Sequence, residues 1–482
     1  MPKVKKLFHK YFPFIAAIYF AVALFVFKDD YFFGDAITST SRLANFIYQQ
    51  GIYFYPQGYD PGHPPTYSIL LVFCWKIFGK TLFVSHVYGV FWCVMMFWGF
   101  RKLSLQLVNL KVVNYASLLF LAHPTFISQN AMMLNTAMLT TCFFWALYFL
   151  VSKQNVMLTF ILSVMVISHL QGAFFLASIA GADFIMNRKE YPIWVFIRTK
   201  FLIYAIPFVA FCVWLWLHYL HTGWWLISPD FGDATERNTA IQILKGFAYC
   251  AWRFADYGMI LPIAIYLILK FKSKNFSAPD TLLWTTLAVT SIIMSFILKN
   301  TIAHRYFLGF ELLLLLLTVK EIQQNVFYAK TYFVIIFFAL VVGNFLYYPG
   351  KTIADANMMY RGYFKAIDEV YSSIRPNQDF YSKAPIANPH QCATLQTEDT
   401  YFKRIDGAID NLPAIVSSNV CAEFTSEELN LLSHWYGKSY EHGAVFINVY
   451  LNPRFYDKPE GWKLREPGIF ESWMIHMKHQ LK

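Results

Sequence analysis

Charge is what this sequence has least of. Asp, Glu, Lys and Arg make up 14% of its 482 residues, against 57% that are hydrophobic. Stretches such as YAIPFVAFCVWLWL and LLWTTLAVTSIIMSFIL carry no charge at all. So few charges, so unevenly spread, exclude an ordinary soluble protein. CxxC and HExxH are absent, which removes the common thiol-redox and zinc signatures. No short-period repeat or low-complexity tract is present. Net charge is +11, yet there is no long basic tract. The Lys and Arg residues sit mostly in short loops between apolar runs, which excludes nucleic acid as a partner.

What is there is a series of apolar runs of membrane length. About 20 apolar residues cross a bilayer as a helix, because lipid cannot satisfy exposed backbone groups. Candidate spans fall at roughly 11–27, 83–100, 112–127, 133–151, 155–169, 171–186, 199–219, 255–271, 281–298, 306–319 and 331–348. Aromatics form 20% of the chain, as expected where Trp and Tyr gather at the two interfaces. The start, MPKVKKLFHKYFPFIAAIYFAVALFVFKDD, has the look of a signal sequence with AVA at 21–23. The apolar run continues past it to Lys28, so it reads as an uncleaved first span.

The segment TYSILLVFCWKIFG at 66–79 is short for a span, and positive charge decides its fate. With the N-terminus in the cytoplasm and this segment not crossing, the basic loops at 101–111, 187–200, 270–274 and 320–330 all fall inside. Were it to cross, all of them would fall outside. It therefore reads as a juxtamembrane or re-entrant helix. The fold class is a polytopic α-helical membrane protein of about 11 transmembrane helices over residues 1–348. A first outer loop covers 28–82, and DAITSTSRLANFIYQQG within it reads as an interfacial amphipathic helix. Residues 349–482 change character: helical spacing gives way to alternation in GAVFINVYLN. They form a small extracytoplasmic α+β domain.

Of the seven cysteines, five lie in or beside apolar runs and behave as small hydrophobes. Cys392 and Cys421 lie in the polar C-terminal part, where an extracytoplasmic location permits a disulfide.

Polar residues collect in the first outer loop, in YDPGHPPTYSILLVFCWKIFGKTLF. With Asp35 upstream, this stretch resembles the first outer loop of the GT-C integral-membrane glycosyltransferases. The nearest kin in pattern are the protein O-mannosyltransferases and the bacterial lipid A aminoarabinose transferases. The matching elements are Asp35 after the first span, HPPTY at 63–67, and KIFG at 76–79. Further matches follow in order: LFLAHPTFISQNAMMLNTAMLTTCFFWALYFLV as a proline-broken span and its successor, ISHLQGAFFL (167–176), and HRYFLGFELLLLLL (304–317). The resemblance covers about residues 1–320. Three departures stand out. Asn135 replaces a frequent Asp, His169 replaces a Lys, and a common acid pair is reduced to Asp35–Ala36.

The resemblance implies transfer of a sugar from a polyprenyl-phosphate donor to an extracytoplasmic glycan, lipid or protein acceptor, with inverting attack. Asp35 is then the base that takes the acceptor proton. Arg305, with His304 and His169, is expected at the donor phosphate, since a guanidinium binds phosphate oxygens in pairs. An interfacial Arg snorkelling to water is the plainer reading of Arg305, and a core histidine that of His169. Asp60, His63, Tyr67 and Asn135 are candidates for the acceptor or sugar. Asp35, Asp60 and His63 together could suit a divalent metal, although no cofactor is required. Trp224 and Trp225 read as interface anchors, and Arg253 with Asp256 as an ordinary ion pair. A bacterial inner-membrane location is expected. The rival readings are a transporter or flippase of lipid-linked saccharides and an inactive scaffold of the same fold.

Overall fold

The structure, a computed structural model, describes residues 2–30, 32, 36–55, 60, 62–188, 192–228, 239–298, 303–325, 329–348, 356–373, 380–382, 402–404, 408–419, 424 and 426–466. The chain forms two compact units. One holds residues 1–29 and 39–343, the other 30–38 and 344–482.

The first unit is helical. Helix α1 (Pro2–Phe27) is followed by a π-helical turn (Ala36–Ser41), α2 (Arg42–Gln50), α3 (Thr66–Phe78), α4 (Leu82–Leu107) and α5 (Leu110–Ala122). Next come α6 (Pro124–Ala131), α7 (Asn135–Val151), α8 (Asn155–Val166), α9 (Gly172–Asn187) and α10 (Ile193–Thr222). The unit ends with α11 (Ala240–Ala255), α12 (Ile260–Ser273), α13 (Ala278–Ile297), a 3-10 turn (His304–Tyr306), α14 (Leu308–Asn325) and α15 (Ala329–Gly343). Among the described residues, 3 of these helices are long and apolar enough to cross a membrane alone, or 5 spans if each bent pair counts as one. That makes a multi-pass membrane protein.

Helix α14 lies at the centre. Leu312 to Leu317 are all fully buried, and the helix touches α5, α7, α12, α13 and α15. A helix that is apolar all round has no preferred solvent face, so it packs inside. The expected proline break is present. Pro124 opens α6, and α5 and α6 meet at 60°. Proline cannot donate the bond that would continue α5.

Helix α3 starts and finishes at the same end of the bundle. Thr141 on α7 donates to the Trp92 carbonyl, and Trp145 donates to Met95. Helices α4 and α7 therefore run side by side in one direction. Tyr88 near the start of α4 reaches the Tyr67 carbonyl at 2.8 Å, and Trp75 reaches Ser85 at 2.9 Å. So α3 folds back along the first turns of α4 rather than running the bundle's length. Pro65 is its N-cap residue, immediately before Thr66, so the proline pair opens the helix.

One loop expectation changes. The loop at 220–254, between the expected spans 199–219 and 255–271, holds most of α11 (Ala240–Ala255). Its Gly246 and Cys250 pack on Ser295 of α13. It meets α12 at 94°. Tyr257 (φ 47°) and Gly258 (φ 92°) make that corner, and a Cβ on Gly258 would lie 2.3 Å from the Ala339 carbonyl oxygen.

The ends of the helices away from this corner are tied by buried charge. Lys270 bonds Asp280 at 2.8 Å and Glu321 at 2.7 Å. Asp183 takes Tyr204 at 2.7 Å and Lys200 at 3.4 Å. The basic residues at these helix ends thus gather at the end opposite His63, His169 and His304.

The second unit contains a five-stranded sheet in the order β2-β1-β3-β5-β4. Its strands are β1 (Phe380–Ser382), β2 (Phe402–Arg404), β3 (Ala414–Ser418), β4 (Tyr436–His442) and β5 (Val445–Leu451). The β4–β5 hairpin pairs His442 with Val445 across a turn containing Gly443 at φ 64°. Helix α16 (Gly362–Ser373) packs on β4 and β5. Helix α17 (Ser426–Leu432) brings Leu432 to a cluster with Ile409, Ile415, Trp435 and Tyr450. Alternation in GAVFINVYLN is read correctly as β5: Val445, Ile447 and Val449 point inward. Cys392 and Cys421 lie outside the described residues. Cys74, Cys93, Cys142, Cys212 and Cys250 are free thiols.

Candidate functional site

The 3-10 turn His304–Tyr306, wedged between α13 and α14, is the hub of a polar cluster at one end of the first unit. Three loops converge on it. The α8–α9 turn brings His169, whose ring lies 6.3 Å from Tyr306. The first outer loop brings His63, whose ring packs on His169 at 4.1 Å between centroids. The α11–α12 corner brings Arg253, Asp256 and Tyr257. Helix α6 also packs against the hub.

His304 is buried. Its Nε2 lies 2.8 Å from Asp256 Oδ2. Arg253 Nη1 lies 3.3 Å from Nδ1 and 3.2 Å from Nε2, so the guanidinium sits over the face of the ring. The imidazole is neutral. Burial drives it there: desolvation pulls the His304 pKa down to about 4, outweighing the hydrogen bond to Asp256 that favours charge. The Tyr257 ring sits 4.6 Å from His304. Arg253 and Asp256, expected as a simple ion pair, are thus joined through His304.

His169 is also buried, and its Nδ1 accepts from the Gln171 backbone N–H at 3.1 Å. Its proton then rests on Nε2. Arg305 is 8% exposed. Its charge acts on both His169 and His304, and its guanidinium carbon lies 5.2 Å from the Tyr306 ring centre. A buried cation thus stands beside His169 and His304, with Asp256 bonded to His304. Such a setting favours an anion with several oxygens.

The other candidates divide. Asp60 is fully buried, and both its oxygens are engaged within the protein. Oδ2 meets His218 and Trp224, each at 2.7 Å, and Oδ1 accepts from the Gly62 N–H at 2.8 Å. Trp224, expected as an interface anchor, is a partner of this carboxylate. Tyr67 is buried between α3 and α4, its ring 4.9 Å from Tyr88 and 6.4 Å from Trp92. Asn135 is the first residue of α7, next to Thr136, which bonds Gln129 at 3.0 Å. Asp35 lies outside the described residues. Among the described residues, no group of three or more His, Cys, Asp or Glu is arranged to hold a metal ion.

Sequence reasoning missed His218 and the buried pair His123–Glu311 (3.3 Å). Each is an ionisable residue inside or at the end of an apolar run, in WLWLHYLH, FLAHPTF and LGFELLLL. Such residues are site candidates by default, because burying them is costly.

A many-helix membrane bundle with a buried His–Arg–Asp cluster at one end defines an architecture, and comparison with solved structures places it. The chain has the GT-C fold. It resembles ArnT from Cupriavidus metallidurans bound to undecaprenyl phosphate, a lipid A aminoarabinose transferase, at TM-score 0.54 and 9% identity. That match covers 91% of this chain and 97% of the other. The apo state of the same enzyme matches at TM-score 0.54 and 11% identity, over 92% of this chain and 98% of the other. At such identity the likeness is one of fold alone. No family model matches the sequence, and no curated protein matches it either.

Proposed function

We propose that the protein is a membrane glycosyltransferase that takes a sugar from a polyprenyl-phosphate donor and places it on an extracytoplasmic glycan, lipid or protein acceptor. The observation that carries this reading is Arg305: a buried guanidinium flanked by the uncharged rings of His169, His304 and Tyr306. The ArnT structure of the same fold was solved with undecaprenyl phosphate, a ligand of the kind such a cation would hold.

Arg305 binds the phosphate of the donor and stabilises the charge that grows on it as the sugar leaves. His169, with its proton on Nε2, donates a hydrogen bond to the phosphate without competing for the site as a cation. Asp35 takes the proton of the attacking acceptor hydroxyl, so that attack on the anomeric carbon and departure of the lipid phosphate are coupled. Asp60 serves by holding the loop that carries His63. Tyr67 and Asn135 contribute to the wall on the sugar side. About eleven spans place this end outside the cytoplasm and the basic helix ends inside. Residues 349–482 form the extracytoplasmic domain, with Cys392 and Cys421 able to pair there.

The test is transfer by the purified protein from a panel of polyprenyl-phosphate sugars, with Asp35→Asn as the control. Sugar transfer lost in that variant supports the reading. Transfer retained removes Asp35 as the base.

A further inference from the structure

Asp60 and His218 are far apart in the chain and locked together in the fold. His218 stands near the C-terminal end of α10, just before its last turn. Its Nε2 is 2.7 Å from Asp60 Oδ2, and its Nδ1 is 3.1 Å from the Trp224 carbonyl oxygen. The Trp224 indole N–H donates to the same Asp60 oxygen at 2.7 Å. The Ser228 N–H donates to the Asp60 carbonyl at 3.2 Å. Gly62, at φ 72°, completes the fit: a Cβ there would lie 2.7 Å from the Leu226 carbonyl oxygen. The segment after α10 is therefore closed onto the first outer loop by backbone and side chains alike.

Both ring nitrogens of His218 face oxygen acceptors. Both Asp60 oxygens receive N–H donors, and the Asp60–His218 pair is buried. Among the described residues, Asp60 is the charged group bonded to His218. The remaining faces of the ring meet Trp214 at 5.3 Å, Trp224 at 6.3 Å and Phe54 at 6.0 Å.

From these contacts we infer that His218 is a positioning residue of the site: with Trp224 it clamps Asp60 and so holds His63 against His169. Two residues separate Asp60 from His63, and two prolines follow. Beyond them, the Thr66 hydroxyl donates to the Ile167 carbonyl, two residues before His169. The short stretch carrying His63 is thus anchored at one end by α10 and at the other by the α8–α9 turn. Releasing the Asp60 anchor lets His63 leave His169 while the helices keep their packing. The use of this arrangement for a lipid phosphate rests on the function proposed above; the clamp does not.

The test is hydrogen–deuterium exchange on the full-length purified protein, comparing wild type with His218→Ala and Trp224→Phe, alongside undecaprenyl phosphate binding by each. In His218→Ala the peptide spanning 60–67 should exchange about tenfold faster or more, with α12 and α13 unchanged. Trp224→Phe removes one donor and should give a smaller increase in the same peptide. Unchanged exchange at 60–67 in both variants, or an increase spread evenly over the helices, overturns the clamp. If the peptide loosens as described while wild type fails to bind undecaprenyl phosphate, the clamp stands and the donor reading falls.

Discussion

The rings of His63 and His169, carried on two separate loops, pack 4.1 Å apart beside Arg305. Neither loop alone would make a site. HPPTY supplies a stiff approach into α3, and the α8–α9 turn supplies a buried imidazole. Only the bundle brings them together, at the end where the 3-10 turn presents its guanidinium.

Arg305 should distinguish charge from geometry. Arg305→Lys keeps a cation but loses the planar fork, so donor binding should weaken by about tenfold. Arg305→Ala should weaken it by about a hundredfold, the value of a charge-assisted pair. Acceptor KM should change far less in both. Equal losses for donor and acceptor would assign Arg305 to the scaffold instead.

The His304 protonation state predicts a pH window. Its folded pKa is held down to about 4 by burial, against an ordinary value of 6.5. The unfolded chain therefore binds the proton first as pH falls. The neutral imidazole contributes fully above 6.5, and its contribution is lost between 6.5 and 4, by up to about 3 kcal/mol. Thermal melting of wild type against His304→Gln should show a steeper acid loss in the wild type over that window. Parallel curves would mean that the imidazole titrates normally.

The triad of Lys270, Asp280 and Glu321 should behave as a structural tie with no part in transfer. Lys270→Met leaves two buried carboxylates without their cation, which costs about 3–5 kcal/mol. The melting temperature should drop sharply, whereas Glu321→Gln, which leaves the Lys270–Asp280 pair at 2.8 Å, should cost less. Rates per folded molecule should be preserved in both.

Sidedness follows from the basic helix ends. A single cysteine introduced in the 101–111 loop should react with an impermeant reagent only from the cytoplasm, and one at position 223, after α10, only from outside. Labelling in the reverse sense would overturn the orientation read from charge.

Much of the bundle was legible because its cues are local. The leucine run of α14, the Pro124 break and the prolines before α3 each act within a turn or two. The 66–79 segment was read from charge instead, because a wrong crossing would move every later basic loop. The site was legible in parts: Arg305, His304 and His169, grouped from sequence, lie around one turn, and His63, read with Asp60 toward the acceptor or sugar, packs on His169. What stayed hidden depends on contacts between distant segments. Nothing near Asp60 announces His218 or Trp224 as its partners, so it read as a free acid when it is a buried anchor. Helix α11 stayed hidden too, because a helix that lies across the bundle has no membrane-length apolar run to reveal it.

The central claim is that this end of the bundle holds a lipid phosphate through Arg305. Native mass spectrometry of the purified protein with a panel of polyprenyl-phosphate sugars tests it most directly. The account predicts a bound lipid-phosphate sugar on wild type that is lost in Arg305→Ala while the variant remains folded. Binding of no panel member to wild type, or equal binding by Arg305→Ala, would contradict it.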